Sequence, residues 1–121
     1  MSAATILVAD DDDAVRALIT GTLSANGYTV LAAATGDDAL AHAAAAPDLL
    51  IADLVMPPSG GLELAEELCA RVPRLAVIHM SGYAARPDFN ADPAAVLLSK
   101  PFSTGELLEH VEWALASRPT A

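Results

Sequence analysis

Charged side chains follow three apolar runs of β-strand character. These residues are Asp10, Asp11, Asp53 and Lys100, and Lys100 is the only lysine of the chain. Because the carboxyl ends of parallel strands meet at one edge of a sheet, the four groups can converge there although they are far apart in sequence. We therefore expect a site that combines several carboxylates with one ammonium group.

Carboxylates that share one edge of a sheet repel one another. Two of them at ~5 Å repel by roughly 3 kcal/mol at an effective dielectric near 20, so three together need a cation or a protonated carboxyl group. Oxygen ligands favour a hard ion. A few carboxylates completed by water and a backbone carbonyl suit Mg²⁺ better than a dedicated Ca²⁺ cage. A magnesium site in turn suggests phosphate chemistry.

Composition limits the possible partners and compartments. With 121 residues and 12.4 kDa the chain has the size of one domain, and a second folded domain does not fit. The net charge of -10 argues against direct binding to nucleic acid or an anionic membrane. Cys69 is alone, which excludes an internal disulfide and fits the cytoplasm. No apolar run approaches the ~20 residues that span a bilayer.

Strand-like runs alternate with alanine-rich segments of helical period, a pattern typical of an α/β fold with a parallel sheet. The predicted strands are 5–9, 28–32, 48–52, 75–80 and 95–98. The predicted helices are 12–26, 35–45, 62–71 and 103–117, and between 82 and 93 two prolines leave room only for a short or irregular helix.

Local signals predict the helix ends and the buried faces. Asp12 and Asp13 favour a helix start, Gly27 suits a helix end with positive φ, and Ser103 with Glu106 suits another start. The residues predicted to share the buried face of the first helix are Val15, Leu18, Ile19, Thr22 and Leu23. Ordinary helix or core positions are predicted for His42, His79 and His110, and core positions for Phe102 and Trp113.

Four short motifs carry a family resemblance. They are residues 6–11 (ILVADD), 53–57 (DLVMP) with Gly61 four positions later, 81–84 (SGYA) and 100–102 (KPF). Together they resemble the receiver domain of bacterial two-component response regulators, in the CheY-like superfamily. The resemblance implies a flavodoxin-like, doubly wound sheet of five parallel strands in the order 2-1-3-4-5, with helices on both faces. It implies a single receiver domain over residues 1–121 without an output domain.

The same resemblance implies a role for each site residue. Asp53 would accept the phosphoryl group and also bind Mg²⁺, together with Asp11 directly, Asp10 through water and Val55 through its backbone carbonyl. The Ser81 hydroxyl would bond the phosphoryl group, and Lys100 would pair with Asp53 or with a phosphoryl oxygen. A metal and a lysine would thus neutralise the charge that spreads over the transferring oxygens.

Partners follow from the resemblance as well. A histidine kinase or a histidine phosphotransfer protein would donate the phosphoryl group, and the chain would signal to an unknown downstream protein by contact or pass the phosphate on. Its catalysis would be limited to its own phosphotransfer and dephosphorylation. Leu97 stands where such domains often carry an aromatic switch residue, so the way in which activation is displayed stays open.

Two rival hypotheses come from other classes. Asp10 and Asp12 also resemble the nucleophile and acid of a haloacid-dehalogenase-like phosphatase, but the chain is short and lacks that family's late acidic pair. The second rival is an interaction module that keeps the fold and never turns over phosphate. Phosphate on Asp53 and not on Asp10, together with Mg²⁺ binding, would separate all three.

Overall fold

The fold is a parallel sheet with helices on both faces. The computed structural model describes residues 4–54, 60–81, 95–99 and 102–117. The strands are β1 (Thr5–Ala9), β2 (Thr29–Ala33), β3 (Leu49–Asp53), β4 (Ala76–Ser81) and β5 (Ala95–Ser99). All four neighbouring pairs are parallel, and the order β2-β1-β3-β4-β5 confirms the predicted fold.

Three of the described helices lie between successive strands, and a fourth follows β5. They are α1 (Asp13–Ala25), α2 (Gly36–Ala41), α3 (Gly61–Arg71) and α4 (Thr104–Ala116), with a short 3₁₀ helix at Ala43–Ala45. The irregular helix predicted between 82 and 93 lies outside the described residues. Strand bounds were predicted to within one residue, since the apolar runs and the Gly and Asp residues beside them mark where each strand ends.

The sheet divides the core into two layers because successive side chains of a strand point to opposite faces. Ile6 and Ile51 pack toward α1 and α4, together with Leu107. Leu7 and Leu50 pack toward α2 and α3. β1 and β3 are buried on both faces, as expected of central parallel strands, and their ends are therefore rigid supports for the residues that follow.

The predicted ends of α1 and the predicted start of α4 are confirmed. The Asp12 carboxylate caps α1 by accepting hydrogen bonds from the N–H groups of Ala14 at 2.9 Å and Val15 at 3.2 Å. Gly27 has φ 91°. Ser103 and Glu106 form a reciprocal capping box, with N···O distances of 3.0 and 3.2 Å.

The second helix is shorter than predicted. It ends at Ala41, and the chain continues through the 3₁₀ helix to Ala46, which has φ 49°. The physical reason is Pro47, because a proline disfavours the α conformation in the residue before it. The last turn therefore tightens into 3₁₀ geometry before the chain turns toward β3.

Two predicted core residues are exposed. Leu18 is 52% exposed and Trp113 is 54% exposed, so both assignments were wrong. The buried side of α4 is already filled by Leu107, Val111 and Ala114, and Trp113 lies about 200° around the helix from Val111. Phe102 packs against the core and His79 is buried, as predicted.

Candidate functional site

Three aspartates meet at the carboxyl edge of the sheet. Asp10, Asp11 and Asp53 each place one carboxylate oxygen within 4.8 Å of the others. The pairing of Ala9 with Ala52 brings Asp10 and Asp53 to the ends of adjacent strands. Asp10 is buried, Asp53 is half-buried and Asp11 is exposed. The predicted convergence of these three residues is confirmed.

Asp10 is held by hydrogen bonds at its carboxylate, its N–H and its carbonyl. Its carboxylate accepts a hydrogen bond from the Asp12 N–H at 2.8 Å, and its own N–H donates to the Ala33 carbonyl at 3.1 Å. Its carbonyl accepts from Nη1 of Arg16 at 2.9 Å. A buried carboxylate needs such partners, and these bonds fix where Asp10 stands at the site.

Asp53 is positioned by the turn that follows it. The Leu54 N–H donates to the Met80 carbonyl at 2.9 Å, and the Gly61 N–H donates to the Leu54 carbonyl at 3.1 Å. A Cβ atom on Gly61 would lie 2.1 Å from the Asp53 carbonyl oxygen. The start of α3 can therefore approach Asp53 only because residue 61 is glycine, which gives Gly61 of the sequence motif a physical reason.

The three carboxylates fit a magnesium ion. Their oxygens are close enough to bind one ion together, and the donors are those that Mg²⁺ prefers in proteins. Crowded carboxylates at this distance also need a cation to offset their repulsion. The site thus agrees with the hard ion expected from the sequence.

The remaining predicted site residues are described only in part. Ser81 ends β4, one position beyond the Met80 that pairs with Asp53, but its side chain lies outside the description. Val55 and Lys100 are outside the described residues. Their predicted roles therefore stay predictions.

One buried ionisable group lies near the site without belonging to the cluster. His79 is 2% exposed and pairs with Ala52, the residue before Asp53. Burial lowers the pKa of His79 to about 4, so the ring is neutral at pH 7. It adds no charge to the edge that carries the aspartates.

Arg16 is the residue that the sequence reasoning missed. Its guanidinium contacts the Asp10 carbonyl and, at 2.5 Å, the Asp13 carboxylate. A signal was present in the sequence, because Asp13 and Arg16 are three positions apart at a helix start and such pairs are neighbours on a helix. The contact with Asp10 depends on how α1 leaves β1, and spacing alone does not show it.

Comparison with known proteins decides the family. The model of the response regulator receiver domain matches residues 6–112. The chain belongs to this receiver domain family. The receiver domain is 35% identical over 111 residues to the response regulator receiver protein CpdR of Brucella abortus, covering 88% of this chain and 92% of that protein. It is 38% identical to the sensor kinase CckA of the same organism, over 90% of this chain but 12% of the kinase.

Solved structures of response regulators have the same fold as this chain. The chemotaxis response regulator CheY4 of Vibrio cholerae superposes with a TM-score of 0.84 at 28% identity, covering 93% of this chain and 99% of that one. Receiver domains bind Mg²⁺ at an acidic pocket, and this chain has a cluster of three aspartates at the carboxyl edge of its sheet. The chain is a phosphoacceptor domain of two-component signalling, and neither rival hypothesis is favoured.

Within the described parts of the chain, every helix is too short or too polar to span a bilayer.

Proposed function

We propose that Asp53 is the residue that accepts the phosphoryl group. The observation that carries this assignment is the position of Asp53 at the end of β3, half-buried, with its carboxylate beside those of Asp10 and Asp11. Asp10 is buried and committed to backbone bonds, whereas Asp53 is open to solvent on one side. Asp53 is thus the partly enclosed nucleophile, and the other two aspartates are its supporting ligands.

The proposed reaction is a direct transfer. A carboxylate oxygen of Asp53 attacks the phosphorus of a phosphohistidine, the new O–P bond forms as the P–N bond breaks, and the imidazole leaves with the electron pair. Asp10, Asp11, Asp53 and the carbonyl of Val55 would hold Mg²⁺, which when bound neutralises charge on the phosphoryl oxygens. Ser81 and Lys100 would contact these oxygens directly.

The chain would act only on itself. Water later attacks the phosphorus of the Asp53 acyl phosphate, the P–O bond to the carboxylate breaks, and phosphate and the free carboxylate of Asp53 result. The same site would therefore carry out phosphotransfer and dephosphorylation. A location in the cytoplasm stays a prediction, as does a single domain over residues 1–121.

A histidine kinase or a histidine phosphotransfer protein is the proposed donor. Support comes from the sensor kinase CckA, to part of which the chain is similar. The exposed side of α1 offers a surface beside the site, because Ala14, Ala17 and Leu18 are solvent-exposed and uncharged in a chain of net charge -10. The downstream partner would respond to contact with the phosphorylated domain, or would receive the phosphate.

Labelling by a small phosphodonor tests the assignment without any partner. With Mg²⁺ and acetyl phosphate, intact-mass measurement should show one phosphoryl group on the wild-type chain and none on Asp53→Asn. Asp37→Asn is the matched control, because Asp37 is an exposed carboxylate in the first turn of α2 and its loss should leave labelling unchanged. Equal labelling of Asp53→Asn would overturn the assignment and favour Asp10, as in the phosphatase hypothesis.

A further inference from the structure

We propose that Arg16 is a positioning residue that orients the aspartate pair Asp10 and Asp11 for metal binding. The inference rests on the proposed function in one respect, since it takes the aspartate cluster as the magnesium site. It assigns a role to a residue of α1 that contributes no ligand atom.

The bonds of Arg16 reach both ends of the turn that joins β1 to α1. Nη1 donates to the carbonyl of Asp10 at 2.9 Å, and Nη2 donates to the Asp13 carboxylate at 2.5 Å. The Arg16 side chain is 22% exposed, whereas the Asp13 side chain is 89% exposed. The more enclosed of the two contacts of Arg16 is therefore the one toward Asp10.

The Asp10 carbonyl belongs to the peptide unit that joins Asp10 to Asp11. Because a peptide unit is planar, holding its oxygen fixes the direction in which the chain enters Asp11. Asp10 has further anchors at its N–H and its carboxylate. The Asp11 carboxylate is exposed, and its direction depends on the backbone on either side of it. Arg16 holds that backbone at the Asp10 carbonyl, and the bond from the Asp12 N–H to the Asp10 carboxylate holds it on the other side.

A simple charge effect makes the opposite prediction. If Arg16 acted only as a cation near the cluster, its removal would lessen the repulsion of Mg²⁺ and tighten metal binding. If Arg16 positions the ligands, its removal weakens metal binding although the site becomes more negative. The direction of the change in affinity separates the two explanations.

Calorimetric titration with Mg²⁺ measures that direction. Arg16→Gln should raise the Kd for Mg²⁺ by about tenfold, the size typical of residues that orient metal ligands. Arg71→Gln is the control for charge, because Arg71 is an exposed arginine in the last turn of α3 and its substitution removes the same charge far from the turn. Its Kd should stay at the wild-type value.

Two further variants keep the test sharp. Arg16→Lys retains the charge and one donor, so it should recover part of the affinity, and Asp13→Asn removes the ion pair but leaves the bond to Asp10, so its Kd should stay near the wild-type value. Thermal unfolding without metal checks that each variant is folded. A Kd of Arg16→Gln that is equal to or lower than the wild-type Kd would overturn the inference. Absence of Mg²⁺ binding by the wild type would instead overturn the proposed function itself.

Discussion

An aspartate lies at each end of β3, and the two have opposite surroundings. Asp48, before the strand, accepts a hydrogen bond from the Thr5 N–H at 2.8 Å, donates its own N–H to the Thr5 carbonyl at 2.7 Å, and accepts at its carbonyl from Ala76 at 3.1 Å. Asp53, at the other end, lies against the carboxylates of Asp10 and Asp11. Asp48 joins β1, β3 and β4, whereas Asp53 is crowded by like charge.

This contrast shows what separates a structural carboxylate from a site carboxylate. The Thr5 N–H donates to the Asp48 carboxylate within the fold, so removal of that carboxylate costs stability. The Asp53 carboxylate lies beside two like charges, and a bound cation would offset their mutual repulsion. The amino edge of the sheet is therefore built for stability and the carboxyl edge for binding.

The largest expected effect comes from adding a side chain at Gly61, where the start of α3 lies close to Asp53. Gly61→Ala would place a Cβ atom 2.1 Å from the Asp53 carbonyl oxygen, so the start of α3 and the end of β3 must move apart. We expect the free energy of unfolding in urea to fall by about 3 kcal/mol. Labelling by acetyl phosphate should fall as well, because Asp53 moves with its carbonyl.

The control for Gly61 lies in α1. A Cβ on Gly21 would meet nothing within 4 Å, so Gly21→Ala should stabilise the chain by up to about 1 kcal/mol and leave labelling unchanged. Equal stability of Gly61→Ala and the wild type would contradict the close packing at the carboxyl edge.

Asp48→Ala tests the structural end of the strand. It removes a charge-assisted hydrogen bond to the Thr5 N–H, and we expect the free energy of unfolding to fall by about 2 kcal/mol. The Kd for Mg²⁺ should not change, because Asp48 lies at the opposite edge of the sheet. A changed metal affinity with unchanged stability would reverse the comparison.

The pH dependence of stability should show the buried histidine of β4. The pKa of His79 is lowered to about 4 in the folded chain, against 6.5 ordinarily, so the unfolded chain binds more protons between these values. Its contribution is complete above pH 6.5 and is lost as the pH falls, by about 2 kcal/mol between pH 7 and pH 5.

His79→Leu isolates this contribution. Urea unfolding at pH 7 and pH 5 should show a smaller pH effect in the variant, by about the same 2 kcal/mol. An identical pH effect in both chains would show that His79 titrates normally and that burial does not suppress its charge.

The smallest expected change in stability is a gain, whereas the substitutions at Gly61 and Asp48 cause a loss. Asp11→Asn removes one of three crowded charges, so the metal-free chain should become more stable by up to about 1 kcal/mol, since Asp11 is exposed and solvent screens its repulsion. Metal affinity should fall sharply at the same time. A variant that is less stable without metal would show that Asp11, like Asp48, has a structural role.

Sequence reasoning succeeded where the chain itself marks the structure. Asp10 and Asp53 directly follow apolar runs, so the sheet topology was enough to bring them together. Leu18 and Trp113 were placed wrongly because helical spacing shows which residues share a face and does not show how wide the buried part of that face is. The contact of Arg16 with Asp10 arises from the angle between β1 and α1, which no short motif encodes.

The central claim is that Asp53, and not a neighbouring aspartate, receives the phosphoryl group. Reductive trapping of the acyl phosphate with borohydride, followed by digestion and peptide mapping, identifies the modified residue directly. After labelling with acetyl phosphate and Mg²⁺, the trapped modification should be found at Asp53 alone and should be absent without metal. A modification at Asp10 or Asp11 would contradict the account.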